Sequence, residues 1–374
     1  MDGQDRPELV DEVHKSDRSP AQLRAALEAW LEGRRPGARI TDLDIPASNG
    51  MSSETVLFDT AWPADDGSEV VRRLVARVAP EASAVPVFPV YDLERQARVM
   101  ADARAAAPTV PIPEVVFTEP DPRPLGTPFF VMERVEGRVP PDVMPYTFDS
   151  WVTAATAEER AVLQDSSIAV LADLHAVEDP LGRFSYLELD RPGATAMRRQ
   201  LADQAAYYEW AGEGLRVPLI DRTFAWLDEH HPADEGDAVL CWGDARIGNV
   251  LYDGFTPAAV LDWEMAVLAP REVDLAWFAY LHTFFQDLTE IFELPGLPDF
   301  LRLDDCAATY ERLSGHAPRH LHWFTVYAAL RYAVVSIRTT KRRVHFEGVP
   351  FPDDPDDLIM HRAGLERLLT APPS

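Results

Sequence analysis

Residues 241–252 read CWGDARIGNVLY, and residues 260–264 read VLDWE. Asn249 follows Asp244 by five positions, and Asp262 stands thirteen beyond the Asn. An isolated D-x4-N carries little information, because Asp and Asn are common in loops. The whole string, W-G-D-x4-N-x-L-x9-L-D-W-E, is far more specific. It is set among the apolar runs AVLCW, NVLYD and AAVL, which read as short strands. Asp244 and Asn249 therefore flank one short loop and can point into one pocket. Asp262 ends an apolar strand, a rigid post from which a carboxylate can reach a metal.

These residue types, in this order, suit transfer of the terminal phosphoryl group of ATP to a hydroxyl. That reaction requires in-line positioning and neutralisation of charge spread over phosphate oxygens. A carboxylate must face the hydroxyl, and two oxygen-bearing groups must hold Mg²⁺.

The surroundings divide in two. Ser19 and Pro20 open a helix in SPAQLRAALEAWLEG, with Leu23, Leu27, Trp30 and Leu31 as its apolar stripe. Residues 1–18 before it read as a loose tail. TVLFDTAW and EVVRRLVARVA then form a hairpin across ADDG (64–67), and ASNGMSSET (47–55) is a small-residue loop feeding its first strand. YDLERQARVMADARAA is a helix, and PIPEVVFTEP and TPFFVMERVEG are two further strands. Beyond Gly137 the pattern turns helical. The outline is a small β-rich lobe followed by a large helical one.

Composition agrees. A chain of 374 residues with 47% hydrophobic and 26% charged content suits two lobes, each with its own core. No run reaches the length of a membrane helix, and the polar start is neither a signal nor a transit peptide, so a cytoplasmic protein away from membranes is expected. A net charge of −27 repels phosphate backbones and speaks against nucleic-acid partners. Cys241 and Cys306 are too few for a disulfide framework. Lys15 and Lys341 are the only lysines, so a role that calls for lysine within the first lobe must fall to arginine.

Taken together these segments resemble the aminoglycoside phosphotransferase family of kinase-like enzymes, which includes choline-kinase-like members. The family's catalytic loop is H-G-D-x4-N, matched here by CWGDARIGNVLY, and its metal motif is matched by AAVLDWEMAVLAPREVDLAWF. ASNGMSSET looks like the phosphate loop, LVARV the third strand, ERQARVM the lobe-bridging helix, FFVMERVEG the hinge and LADLHAV the helix before the catalytic loop. The likeness spans roughly residues 36–290 and points to a bacterial branch whose acceptors are uncharacterised.

The resemblance implies an α+β, bilobal protein-kinase-like fold with a small β-rich N-lobe and a large mainly helical C-lobe. Its expected divisions are 1–35 (tail and helix), 36–136 (N-lobe) and 137–374 (C-lobe). ATP and Mg²⁺ are the implied cofactors, and a small-molecule hydroxyl is the acceptor. Asp244 would be the base or hydroxyl-orienting group, with Asn249 and Asp262 as Mg²⁺ ligands. Ser52 and Ser53 would lie at the phosphates, and the backbone around Met132, Glu133 and Val135 would hold the adenine edge.

Three departures bear on this reading. Arg77 replaces the family's phosphate-binding lysine, a change a guanidinium can support. Gln96 falls where that cation's Glu partner belongs, with Glu94 two residues earlier; about 200° apart on a helix, the two cannot both face the site. Trp242 replaces a bracing His, and its indole offers bulk and one N–H.

Arg246 is read either as a stabiliser of transition-state charge or as a salt-bridge residue. Glu264 is read either as touching metal through water or as an exposed loop residue. Asp274 is expected to cap the helix it begins and to brace the catalytic loop. His175 is expected to be a satisfied core histidine, and His320 and His322 lack partners at ligand spacing. The acidic runs PADEGD (232–237) and DDPDD (353–357) read as solvated loops. The alternative to an enzyme is a nucleotide-binding pseudokinase or interaction module, motivated by Arg77, Gln96 and Trp242.

Overall fold

The computed structural model describes residues 19–46, 53–64, 66–80 and 85–371. The tail and Ser52, with most of the small-residue loop, lie outside them. The first helix, α1 (Pro20–Arg34), is closed by a capping box between Ser19 and Gln22. Its Leu23, Leu27 and Leu31 are buried, each contributing about 1.5–3 kcal/mol relative to exposure. They pack on one face of a five-stranded antiparallel sheet of order β1-β2-β3-β5-β4. Its strands are β1 (Arg39–Asp44), β2 (Glu54–Pro63), β3 (Glu69–Val78), β4 (Val115–Glu119) and β5 (Phe129–Glu133).

Strand alternation decides what faces the cleft. In β3, Leu74, Ala76 and Val78 join Leu23 and Leu27 of α1 in one core. Val75 and Arg77 point the other way, where Val75 joins the main core beside α2 (Leu93–Ala106). Arg77 thus sits on the face toward the second lobe. Register places it opposite Thr55 of β2 and Phe130 of β5.

The second lobe holds α3 (Ala157–His175), the short α4 (Pro180–Arg183), α5 (Ala196–Gly212), α6 (Pro218–Glu229), α7 (Glu272–Ile291), α8 (Leu303–Ser314), α9 (Leu321–Glu347) and α10 (Arg362–Thr370). Two small antiparallel ladders are set among them: β6 (Ala238–Cys241) with β9 (Val267–Pro270), and β7 (Val250–Asp253) with β8 (Thr256–Val260). The Asp244 segment runs from the end of β6 to the start of β7. The Asp262 segment runs from β8 to β9, so the two loops lie side by side, with Leu261 N–H bonded to Asn249 O at 2.9 Å.

The mixed α/β architecture, a β-rich first lobe and a helical second one, is as expected. β1 and β9 were not expected. In β1 only Ile40 is buried, so RITDLD lacks an alternating pattern, and β9 is one short apolar run ending in Pro270. No helix among the described residues is long and apolar enough to cross a membrane.

Candidate active site

Gly243 begins the loop at φ +89°, and a Cβ there would clash with the carbonyl of Met265. Only glycine fits that approach. The loop backbone is then pinned from α7. Asp274, fully buried, accepts the N–H of Gly243 and the N–H of Trp242, each at 2.7 Å. His175 bonds the same carboxylate through Nε2 at 3.2 Å and meets the Tyr310 hydroxyl through Nδ1 at 2.9 Å. His175 is thus a satisfied core histidine. Asp274 braces the loop as expected but does not cap α7, whose N-terminus has no side-chain cap. Its two oxygens are spent on the loop and His175.

Trp242 is buried to 1% exposure. Its indole N–H lies 2.9 Å from Leu261 O and 3.2 Å from Asp262 O, so the residue that departs from the resembled pattern ties the two loops together. Arg331 of α9 adds a further tie, donating Nη2–H to Gly243 O at 2.9 Å while its guanidinium stacks 4.3 Å from the Trp277 ring centroid.

Asp244 is held by side chains on both oxygens. Oδ1 accepts from Trp277 Nε1 at 2.8 Å, and Oδ2 accepts from Asn249 Nδ2 at 2.6 Å and Arg246 Nε at 3.2 Å. Each carboxylate oxygen has room for about two donors, so Oδ1 keeps an open lone pair. Asn249 also donates Nδ2–H to Asp244 O at 3.1 Å, so its amide nitrogen and not its oxygen serves Asp244. Asp262 has φ +59°, a left-handed backbone costing about 1–2 kcal/mol for a side-chain-bearing residue.

Across the cleft, Arg77 donates Nη1–H to Thr55 Oγ1 at 3.0 Å and places Nη2 3.5 Å from Asp262 Oδ1. Its expected partner is not its partner: no Arg77–Gln96 bond forms. Gln96 faces inward at 4% exposure with its Oε1 unpaired among the described residues, whereas Glu94 is exposed. The register that puts Gln96 inside was correct, but the cation reaches across to the second lobe instead of back to α2.

Arg246 pairs with Asp142, from the loop after the hinge, as well as with Asp244. Burial works against its charge, but Asp142 and Asp244 outweigh that and hold the guanidinium above its ordinary value. Burial also raises the Asp262 carboxyl above the usual carboxylate range; Arg77 opposes the rise and Asp244 adds to it.

Of the remaining expected residues, Ser53 is 3% exposed with its Oγ unpaired among the described residues, and Met132 is buried in β5. Glu133 N–H is taken by Glu114 O and Arg134 N–H by Arg73 O, both at 2.9 Å, so the hinge edge open to a base begins at Val135. Glu264 is half-buried, not exposed, and its charge acts on Tyr91 and Tyr207.

His175, Cys241 and Asp274 have ligand atoms within 4.8 Å of one another, the only such buried group among the described residues, yet each is already engaged within the protein. It is a structural knot. By contrast Asn249 and Asp262 supply an amide and a carboxylate oxygen, the hard ligand type that suits Mg²⁺.

Trp277, Arg331, Asp142 and Thr55 were not foreseen. Trp277 lies one helical turn after Asp274, so the i, i+3 rule carried the signal. For Asp142 the sequence offers none.

A β-rich lobe hinged to a helical lobe, with an Asp–Asn loop and an Asp-ended strand between them, defines a kinase-like phosphotransferase fold. A model of the phosphotransferase enzyme family matches residues 45–316. The chain belongs to that family. Among solved structures, a putative aminoglycoside phosphotransferase from Ralstonia eutropha is 22% identical with a TM-score of 0.63, covering 92% of this chain and 96% of that one. A thermostable mutant of aminoglycoside phosphotransferase APH(4)-Ia, in ternary complex with ADP and hygromycin B, is 15% identical with a TM-score of 0.57 over 93% of this chain and 100% of that one. Macrolide 2'-phosphotransferase type I is 19% identical with a TM-score of 0.53 over 87% and 96%. At these identities the likeness is one of fold.

The curated relatives differ in kind. Human acyl-CoA dehydrogenase family member 11 is 26% identical over 176 residues, 46% of this chain and 21% of that protein. Probable acyl-CoA dehydrogenase IBR3 of Arabidopsis thaliana is 26% identical over 306 residues, 78% of this chain and 35% of that protein. The chain thus spans about a fifth to a third of the length of these relatives.

Proposed function

We propose that this protein is an ATP- and Mg²⁺-dependent phosphotransferase that phosphorylates a hydroxyl of a small molecule. The observation that carries the reading is the held carboxylate of Asp244. Trp277, Asn249 and Arg246 fix it, and Oδ1 is left able to take an incoming hydroxyl. Bound together, ATP and Mg²⁺ would supply the transferable phosphoryl group and neutralise its oxygens. Asn249 and Asp262 would hold the metal, Arg77 would meet phosphate oxygens from the first lobe, and the hinge backbone from Val135, the first position not tied into the sheet, would receive the base. Asp244 orients the acceptor O–H and takes its proton as the oxygen attacks. Arg246 stands at the same carboxylate, placed to meet charge developing on the transferred group. The solved complexes of family members with ADP or AMP-PNP support nucleotide use.

Radiolabelled ATP turnover with Mg²⁺, measured for the wild type and Asp244→Ala over an acceptor screen, tests this. Transfer that Asp244→Ala abolishes is expected. Nucleotide binding with no transfer to any acceptor would establish the pseudokinase reading instead. The screen includes amino sugars, choline-like amines, macrolides and hydroxyacyl thioesters, the last because the curated relatives are named acyl-CoA dehydrogenases.

A further inference from the structure

The base opens onto a wall of rings. Trp277, bonded to Asp244, meets Tyr332 of α9 at 6.4 Å between ring centroids. Tyr332 in turn meets Phe284 at 4.8 Å and His361 at 5.0 Å. Tyr332 is half-buried, and its hydroxyl bonds to no described residue. Burial raises that hydroxyl above its ordinary value. Behind it lie two unpaired polar atoms in side chains over nine-tenths buried, Tyr280 Oη and His361 Nδ1. His361 donates Nε2–H to Ala329 O at 3.0 Å, so as a neutral ring it leaves Nδ1 as an acceptor without a donor. Val143 and Met144, next to Asp142, and Met360, next to His361, are each more than half exposed and add apolar surface to both flanks.

Most carboxylates of the acidic runs, and Asp142 beside the site, already have partners among the described residues. Asp142 is neutralised by Arg246. In the 232–237 run, Asp234 pairs with Arg319 at 2.7 Å, and Glu235 accepts from Thr195 Oγ1 at 2.8 Å and Met197 N at 3.1 Å. In the 353–357 run, Arg362 takes Asp354 at 2.8 Å and Asp357 at 2.6 Å, while Asp356 accepts from Leu219 N at 2.8 Å.

Building on the phosphotransferase reading, we propose that the acceptor is an alcohol carried on an uncharged, apolar or aromatic body, and that Tyr332 is the side chain that selects it. The ring gives the acceptor's body a flat apolar seat beside Asp244. A polycationic amino sugar finds no free carboxylate cluster there to offset its desolvation.

The test uses the full chain with ATP, Mg²⁺ and three probes: a medium-chain hydroxyacyl pantetheine thioester, a phenyl-bearing alkanol and hygromycin B. Acceptor binding without nucleotide is measured in parallel by calorimetry. The uncharged alcohols are expected to show kcat/KM at least about tenfold above hygromycin B. Tyr332→Ala should raise their KM about tenfold while leaving the KM for ATP in place, and Tyr332→Phe should restore the lower value. Preference for hygromycin B, or equal effects of Tyr332→Ala on both KM values, would overturn the inference. If no probe is phosphorylated, the wider acceptor screen decides the phosphotransferase reading and calorimetry decides this one. Saturable binding of an uncharged alcohol that Tyr332→Ala removes upholds the aromatic seat; binding of hygromycin B alone, or of no probe, rejects it.

Discussion

The indole N–H of Trp277 lies 2.8 Å from Asp244 Oδ1, so a tryptophan on a helix, far along the chain from the catalytic loop, sets the rotation of the carboxylate. Trp277→Phe keeps a ring for Arg331 to stack on but removes the donor. We expect kcat to fall about 10–100-fold with the KM for ATP and the melting temperature nearly unchanged. A parallel rise in the KM for ATP would show that the indole shapes the nucleotide site instead.

Asp262 carries its charge against burial, with its carboxyl above the usual range. A carboxylate whose folded value is raised opposes folding at pH values above it, and the penalty fades as pH falls through that value. Asp262→Asn should therefore raise the melting temperature at pH 7, by about 2 °C, while transfer falls about 1,000-fold. Scanning calorimetry beside a turnover assay reads both. A lower melting temperature would mean that the Arg77 pairing outweighs the cost of burial.

Arg77 spans two partners, Thr55 and Asp262, with two different guanidinium nitrogens. An ammonium cannot reproduce that fork. Arg77→Met should raise the KM for ATP about 10–100-fold, consistent with losing charge-assisted bonds, and Arg77→Lys should fall between. If Arg77→Lys matched Arg77→Met, the two-nitrogen fork and not the charge alone would be what matters.

His282 and His361 are each pushed down to about 4 by burial. Tyr146 donates to His282 Nδ1 at 2.8 Å while His282 Nε2–H donates to Leu297 O at 3.1 Å, so the neutral ring is the one that fits. The unfolded chain takes protons near 6.5 and the folded one does not until about 4, so stability is lost as pH falls through that window. Each ring contributes up to about 1.4 kcal/mol per pH unit there. Urea unfolding at pH 7, 6 and 5 should show the loss, and His282→Gln should flatten it.

What the sequence revealed follows from where the physics is local. Asp244, Asn249 and Asp262 stood out because spacing along two adjacent loops determines their approach. Helical geometry alone says that Gln96 and Glu94 cannot share a face, and the resemblance is what assigns the inner one to Gln96. Its failure to reach Arg77 could not be foreseen, because the orientation of α2 against β3 depends on packing between elements. Trp277 lies one turn from Asp274, and that spacing puts it on the loop-facing side of α7, but nothing in a helical WFAY run marks its ring as a donor to Asp244. Asp142 comes from a proline-rich loop whose path only the assembled lobes define. β1 escaped notice because a strand buried at Ile40 alone has no face to display.

Asp274 holds the two peptide groups that open the Asp244 loop, and Trp277, on the same first turns of α7, holds the Asp244 carboxylate itself. The loop's address is therefore written in the helix. Position 242 can change its chemistry, as a tryptophan in place of a histidine illustrates, because the loop's place is secured by groups outside it. Change should accordingly be tolerated at position 242 and punished at Asp274 and Trp277, the helix residues that hold the loop.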